Sequence, residues 1–239
     1  MKLRIIGSGA ITATDASASA LVDDRILVDC GAGTYKQLLR LNCNIEKIDT
    51  VLITHLHSDH FMDVPFMMLA AGRNHDDNKQ ELTIFLPEGG VKATREIAKY
   101  LWDTENWWPE NVKLIEYQNE KVFTSNDISI EPVKVVHAES KASGFIIEKD
   151  DGRIGFSGDS IMCEGVQKII EMADCAVLDA SCPESGNAMH MGLDDIYKVC
   201  NEYPNKKIIV THMHEEVREA VRQDIPNLTV PNDGDIFQL

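Results

Sequence analysis

Within six residues, His55, His57, Asp59 and His60 set three imidazoles and one carboxylate in the pattern HxHxDH. These are the intermediate donors that zinc and its first-row neighbours take. With 8 histidines in 239 residues, a chance match is expected on the order of a thousandth of a time per chain. The alternative, a polar helix cap rich in histidine, would bury these groups together without a cation, at a high desolvation cost. The run Thr50 to Thr54 reads as a buried-type strand leading into the cluster. Phe61, Val64, Met68 and Ala71 then recur on one face of a helix after Ser58. Strand geometry carried through to His57 would aim His55 and His57 to the same side.

One cluster cannot complete two metal sites, but further donors stand at the ends of apolar runs. His137 follows Val133-Lys134-Val135-Val136, Asp159 lies in Phe156-Ser157-Gly158-Asp159-Ser160, and His212 follows Ile208-Ile209-Val210-Thr211. Singly, each is ordinary surface or capping chemistry. Jointly they converge, because C-terminal strand ends gather along one sheet edge, where sites form.

The elements that must position these donors can be read around them. Runs at 2–7, 18–22 and 25–29 form an opening β meander, with Asp23-Asp24 as a hairpin turn. A helix over 34–41, a strand over 82–86 and a helix over 91–102 follow. Strands are expected at 112–116, 127–136, 143–148 and 153–157, with turns at Asn126-Asp127 and Asp151-Gly152. The second half alternates helix 164–172, strand 175–179, helix 193–203, strand 207–211, a short helix from Glu215 and small strands at 228–230 and 235–238. This order predicts an α/β fold, a four-layer αββα sandwich of two mixed β-sheets flanked by helices. No linker or repeat interrupts it, so residues 1–239 are expected to form one domain.

The set His55-x-His57-x-Asp59-His60, His137, Asp159 and His212, in this order, resembles the metallo-β-lactamase superfamily. The resemblance includes Gly7-Ser8-Gly9, the turn Val28-Asp29-Cys30-Gly31-Ala32-Gly33 and Gly158-Asp159. It implies the αββα fold, one metal held by His55, His57 and His137, a second held by Asp59, His60 and His212, and Asp159 bridging them. Two divalent ions are implied, zinc first and manganese as the alternative. His57 stands where diiron flavoprotein members carry Glu, and no flavin domain accompanies it. A water shared between two such ions becomes a nucleophile near neutral pH.

His190-Met191-Gly192-Leu193-Asp194-Asp195 resembles the ribonuclease Z and cyclic-phosphodiesterase branch, which places a further histidine there. That makes His190 a candidate catalytic residue, suited to protonate a leaving alcohol, beside Asp59, which doubles as a ligand. The alternative is a histidine neighbouring a helix N-terminus. Two departures stand against transfer-RNA processing. Only 21 residues separate His137 from Asp159, where that branch commonly carries a basic RNA-gripping arm, and Asp63 replaces a usual glycine.

Composition agrees. With 23 basic and 39 acidic residues the formal charge is −16, which repels polyanions. Nucleic acid is disfavoured as a partner and a small-molecule phosphodiester favoured. Lactone, thioester or ester hydrolysis, a ribonuclease Z-like endonuclease, and a non-catalytic metal-binding scaffold are the alternatives. The six cysteines lack CxxC spacing and read as reduced thiols. The first residues lack the apolar run of a signal peptide, and no stretch is long enough to span a membrane, so a cytoplasmic location is expected. Trp102, Trp107 and Trp108 suit loop packing, a homodimer contact or substrate stacking, in that order. His75 and His214 read as surface residues, and Cys30 and Cys182 as small packed thiols.

Overall fold

Alternating side-chain exposure needs two apolar layers when both faces of a sheet are covered, and the strands of this chain supply both. Ile146, Ala176, Leu178, Ile208 and Val210 pack on one side of their sheet, and Ile147, Val177 and Ile209 on the other. A computed structural model describes residues 1–73, 81–102, 109–150, 152–222 and 224–239, the side chains of residues 73 and 102 excepted. His75, Trp107, Trp108 and the side chain of Trp102 lie outside the described residues.

Strands β1 (Lys2–Gly7), β2 (Ser19–Val22), β3 (Ile26–Val28), β4 (Thr50–Leu52), β5 (Leu82–Leu86) and β6 (Val112–Glu116) run in that order across the first sheet. Strands β7 (Phe123–Ser125), β8 (Ile128–Lys134), β9 (Ser143–Lys149), β10 (Gly152–Phe156), β11 (Cys175–Asp179), β12 (Lys207–Thr211) and β13 (Leu228–Thr229) run in order across the second. The last strand, β14 (Ile236–Gln238), returns to pair antiparallel with β1. Each sheet begins antiparallel and becomes parallel, at β3–β4 in the first and at β10–β11 in the second. The β2–β3 turn has positive φ at both Asp23 and Asp24, as a type I′ hairpin requires.

Leu3, Ile5, Val22, Leu52, Phe145, Phe156 and Ile209 fill the space between the sheets. Helices α1 (Thr34–Arg40), α2 (Ser58–Phe61), α3 (Val64–Arg73) and α4 (Gly90–Trp102) belong to the first half. Leu38, Met67 and Met68 from α1 and α3 cover the outer face of the first sheet. Helices α5 (Glu164–Met172), α6 (Leu193–Glu202) and α7 (Glu215–Ala220) cover the second through Ile169, Ile196 and Val217. The four-layer αββα sandwich is therefore present.

Three expectations shift in detail. Strand β4 ends at Leu52, so His55 and His57 lie in a loop and their common direction comes from its turns, not from a strand period. The helix expected after Ser58 is two helices, because Pro65, in the first turn of α3, offers no N–H to carry α2 onward. Asp63, at the junction, accepts the Tyr35 N–H at 2.9 Å and braces α1 against this corner. Strand β7 was not expected before the Asn126-Asp127 turn, since three residues are too few to show alternation.

Candidate active site

The C-terminal ends of β3, β4, β8, β10, β11 and β12 deliver polar residues to one edge of the sandwich. The chain turns left-handed as it leaves several of them, with φ of 60° at Asp29, 47° at Ala138, 58° at Gly158 and 59° at His212. Non-glycine residues in this region cost about 1–3 kcal/mol each, a strain typical of functional edges. At Gly158 a Cβ would also lie 3.0 Å from the Thr54 side chain, and at Gly31 one would lie 1.7 Å from the Asp59 carbonyl oxygen. Both close approaches draw the HxHxDH segment into the edge.

The seven donors expected from the sequence come together. His55, His57, His137 and Asp159 form one group, and Asp59, His60, Asp159 and His212 a second, each with donor atoms within 4.8 Å of one another. Asp159 is common to both. Its carboxylate lies 3.8 Å from His55 Nε2, 3.8 Å from His137 Nε2, 3.2 Å from His60 Nε2 and 3.3 Å from His212 Nε2. All are buried except His57, which is exposed.

Hydrogen bonds behind the rings fix which nitrogen faces inward. His60 Nδ1–H donates to Asp29 at 2.8 Å, and His137 Nδ1–H donates to the Met189 carbonyl at 2.8 Å. His212 Nδ1 lies 2.6 Å from Ser181 Oγ, and His55 Nδ1 3.0 Å from Thr54 Oγ1. Nε2 is thereby left for the centre, the outer bond setting tautomer and basicity. Two of these atoms, His55 Nε2 and His60 Nε2, are buried without a hydrogen-bond partner. His137 Nε2 and His57 Nδ1 face each other at 3.1 Å. Inward, unpartnered imidazole nitrogens around a shared carboxylate fit a pair of divalent cations, which would relieve both features.

Electrostatics divide the histidines. Burial, reinforced by the charge of His60, drives His55 well below the ordinary imidazole range, and burial also lowers His137. Burial opposes charge on His60 too, but Asp159 and Asp29 outweigh it and raise this ring well above the usual value. For His212 burial is likewise overcome, by Asp159, Asp179 and Asp59, and the pKa rises to about 10. Asp159, despite burial, is held well below the carboxylate range by His212 and His60.

His190 sits against the cluster, its ring centroid 4.9 Å from that of His137 and 5.2 Å from that of His212. Its Nδ1–H donates to Asp179 at 2.8 Å. Burial works against charge on His190, but the Asp179 bond prevails and raises it. His214 stands aside, 3.3 Å from Thr12 Oγ1. All six cysteines are free.

Sequence reasoning missed Asp29 and Asp179. Asp29 also accepts the Thr54 N–H at 2.8 Å, and Asp179 those of Ser160 and Ser181, each at 3.1 Å. Each ends or follows an apolar run, as His137, Asp159 and His212 do. That position was the available signal.

Residues 24–213 match the family model of the beta-lactamase superfamily domain. Ribonuclease Z of Bacillus licheniformis is 24% identical over 275 aligned residues, covering 89% of this chain and 88% of the relative. That span exceeds the 239 residues of this chain, so the relative inserts segments absent here. Other ribonucleases Z match over only 37% or 50% of their length. The metallo-beta-lactamase fold protein YhfI from Bacillus subtilis superimposes with a TM-score of 0.81 at 19% identity, over 99% of both chains. A diphosphatase of the PhnP family gives 0.75 at 19% identity, over 100% of this chain and 97% of that one. At such identities the two structures establish a shared fold and nothing about substrate. The chain is a metallo-hydrolase belonging to the beta-lactamase superfamily.

Proposed function

We propose that this protein is a binuclear metal-dependent phosphodiesterase acting on small phosphodiesters, with zinc the favoured ion and manganese the alternative. The observation that carries the reading is His190 beside the two donor groups, its Nδ1 engaged by Asp179. His55, His57 and His137 would hold one cation, Asp59, His60 and His212 the other, with Asp159 between them. When bound, two such cations supply Lewis acidity and an activated water.

The chain's own residues do the rest. Asp179, by accepting the Nδ1–H, favours the doubly protonated ring of His190, whose Nε2–H can then pass to the leaving alkoxide and leave the ring neutral. Asp59, kept ionised by His212 and His60 against the cost of its burial, is both ligand and acceptor for the proton of the attacking water. Asp29 and Ser181 keep His60 and His212 from rotating away. Among the described residues no helix is long and apolar enough to cross a membrane, and the free thiols suit a cytoplasmic setting.

The test is chelator-stripped protein assayed on bis(4-nitrophenyl) phosphate with zinc or manganese restored. Recovery supports the reading, and no recovery with any divalent ion ends it. His190→Ala should lower kcat by about 10²–10⁴-fold on a phosphodiester and much less on a lactone. A second reading, RNA cleavage, draws on the ribonuclease Z relatives. The charge of −16 weighs against it. Cleavage of a precursor transfer RNA at rates matching the small diester would favour it.

A further inference from the structure

Anion-binding sites usually announce themselves with Arg or Lys at the rim, and the described residues of this one scarcely do. The segments that carry or brace the cluster are residues 8–18, 29–33, 53–63, 135–142, 157–163, 180–192 and 212–214. They contain one Lys or Arg in all, Lys141. Its ammonium is 2.8 Å from the Glu88 carboxylate. The exposed charges Glu139 and Glu184 in the same segments are negative.

Inside, Asp29 and Asp179 bring the buried carboxylates of the cluster to four, with Asp59 and Asp159. The positive charge of two divalent cations would therefore be largely offset within the protein, leaving little to attract a second anionic group. Large apolar side chains are exposed in these same segments. Met62 is 41% exposed two residues after His60, Met189 is 37% exposed just before His190, and Ile11 is 59% exposed in the loop whose Ala10 N–H donates to the Met213 carbonyl beside His212.

Resting on the phosphodiesterase reading, we propose that the site selects by charge: it takes a phosphodiester with one negative charge and uncharged, largely apolar substituents, and discriminates against any further phosphate near the scissile bond. A second phosphate would meet Glu139 and Glu184, and the one cation of these segments, Lys141, is already paired with Glu88. Met189, whose carbonyl receives His137 Nδ1–H, and Ile11 would instead be available to an alkyl, aryl or nucleobase group.

A matched pair tests this on the metal-loaded protein: thymidine 5′-(4-nitrophenyl phosphate) with and without a 3′-phosphate. The scissile bond is the same. The added phosphate should raise KM about tenfold or more with kcat little changed, and the penalty should shrink as salt screens it. An equal or lower KM for the doubly charged ester overturns the proposal. Cleavage of neither ester would be the failure of the phosphodiesterase reading, and a binding measurement then decides the charge inference separately. A fluorescein-labelled 12-nucleotide RNA, followed by anisotropy on metal-free and metal-loaded protein at low salt, should not bind. Binding that weakens steeply with salt overturns the inference whatever the activity. Met189→Lys and, independently, Ile11→Lys each add a cation at an exposed position. Each should cut the 3′-phosphate penalty by about threefold or more, and an unchanged ratio in both, with thermal stability retained, counts against it.

Discussion

The two donor groups share Asp159 but are built differently. His55 is backed by the Thr54 hydroxyl, which donates to Asp29 at 2.9 Å, His137 is backed only by the neutral Met189 carbonyl, and their companion His57 is exposed. His60 is backed by a carboxylate, and His212 by a serine hydroxyl that itself donates to Asp179 at 2.6 Å. Asp59, His60 and His212 are 5%, 1% and 4% exposed, so this second group is sealed from solvent. A carboxylate behind an imidazole raises its basicity and fixes its orientation. On the proposed two-cation reading, the same edge would hold one firmly seated position and one open, exchangeable position. The open one would lie beside the exposed His57.

The most damaging test removes what the groups share. Asp159→Ala should cost both cations and lower kcat/KM by about 10³-fold or more, read by metal content and diester turnover. Two cations retained per chain would show that the groups are independent. Next, Asp29→Asn should weaken the His60 position, which it backs directly, about 10–100-fold, and the other position less, since it reaches His55 only through the Thr54 hydroxyl. Competition with a chelator reads both affinities. In the unmodified protein the His57 position should empty first, and in the variant that order should narrow or reverse.

Protonation sharpens the contrast further. In the metal-free protein His60 and His212 are raised by buried carboxylates, whereas His55 and His137 are lowered by burial. A raised histidine contributes stability that is complete below its unfolded pKa, roughly 6.5, and is lost as pH climbs through its folded value. For His212 that value is about 10. The thermal midpoint of metal-free protein should therefore fall between about pH 6.5 and 10, and that of loaded protein should fall less, since a bound cation needs the neutral ring. Calorimetry in buffers of different ionisation enthalpy should show proton release on filling the His60 position and little on filling the His57 position.

The sequence made the candidate donors legible and their supports largely illegible, for a physical reason. HxHxDH is dense enough to stand above chance, and His137, Asp159 and His212 each follow an apolar run that marks a strand end. The two-sheet order was readable because strands such as β11 and β12 are continuous apolar runs. Asp29 and Asp179 follow such runs too, but a single carboxylate at a strand end has many ordinary uses. Only the fold shows that Asp29 reaches His60, 31 residues away, and that Asp179 reaches His190. The break at Met62-Asp63 was hidden by an apolar stripe that continues across it, although Pro65 was in plain view.

The smallest expected effect probes the open position through a residue that touches no cation. Asn187 Oδ1 accepts the Met189 N–H at 2.6 Å, and its amide donates to Cys182 Sγ at 3.3 Å. It holds the turn whose Met189 carbonyl receives His137 Nδ1–H. Removing that brace leaves the donors in place but lets the carbonyl wander, so His137 loses part of its alignment. Asn187→Ala should weaken only the His57 position, by about tenfold or less, and Asn187→Asp, which keeps the accepting oxygen, should restore most of it. Chelator competition resolves the two positions, so equal weakening of both would mean that the 181–192 loop supports the whole edge and that the division between firm and open positions is wrong.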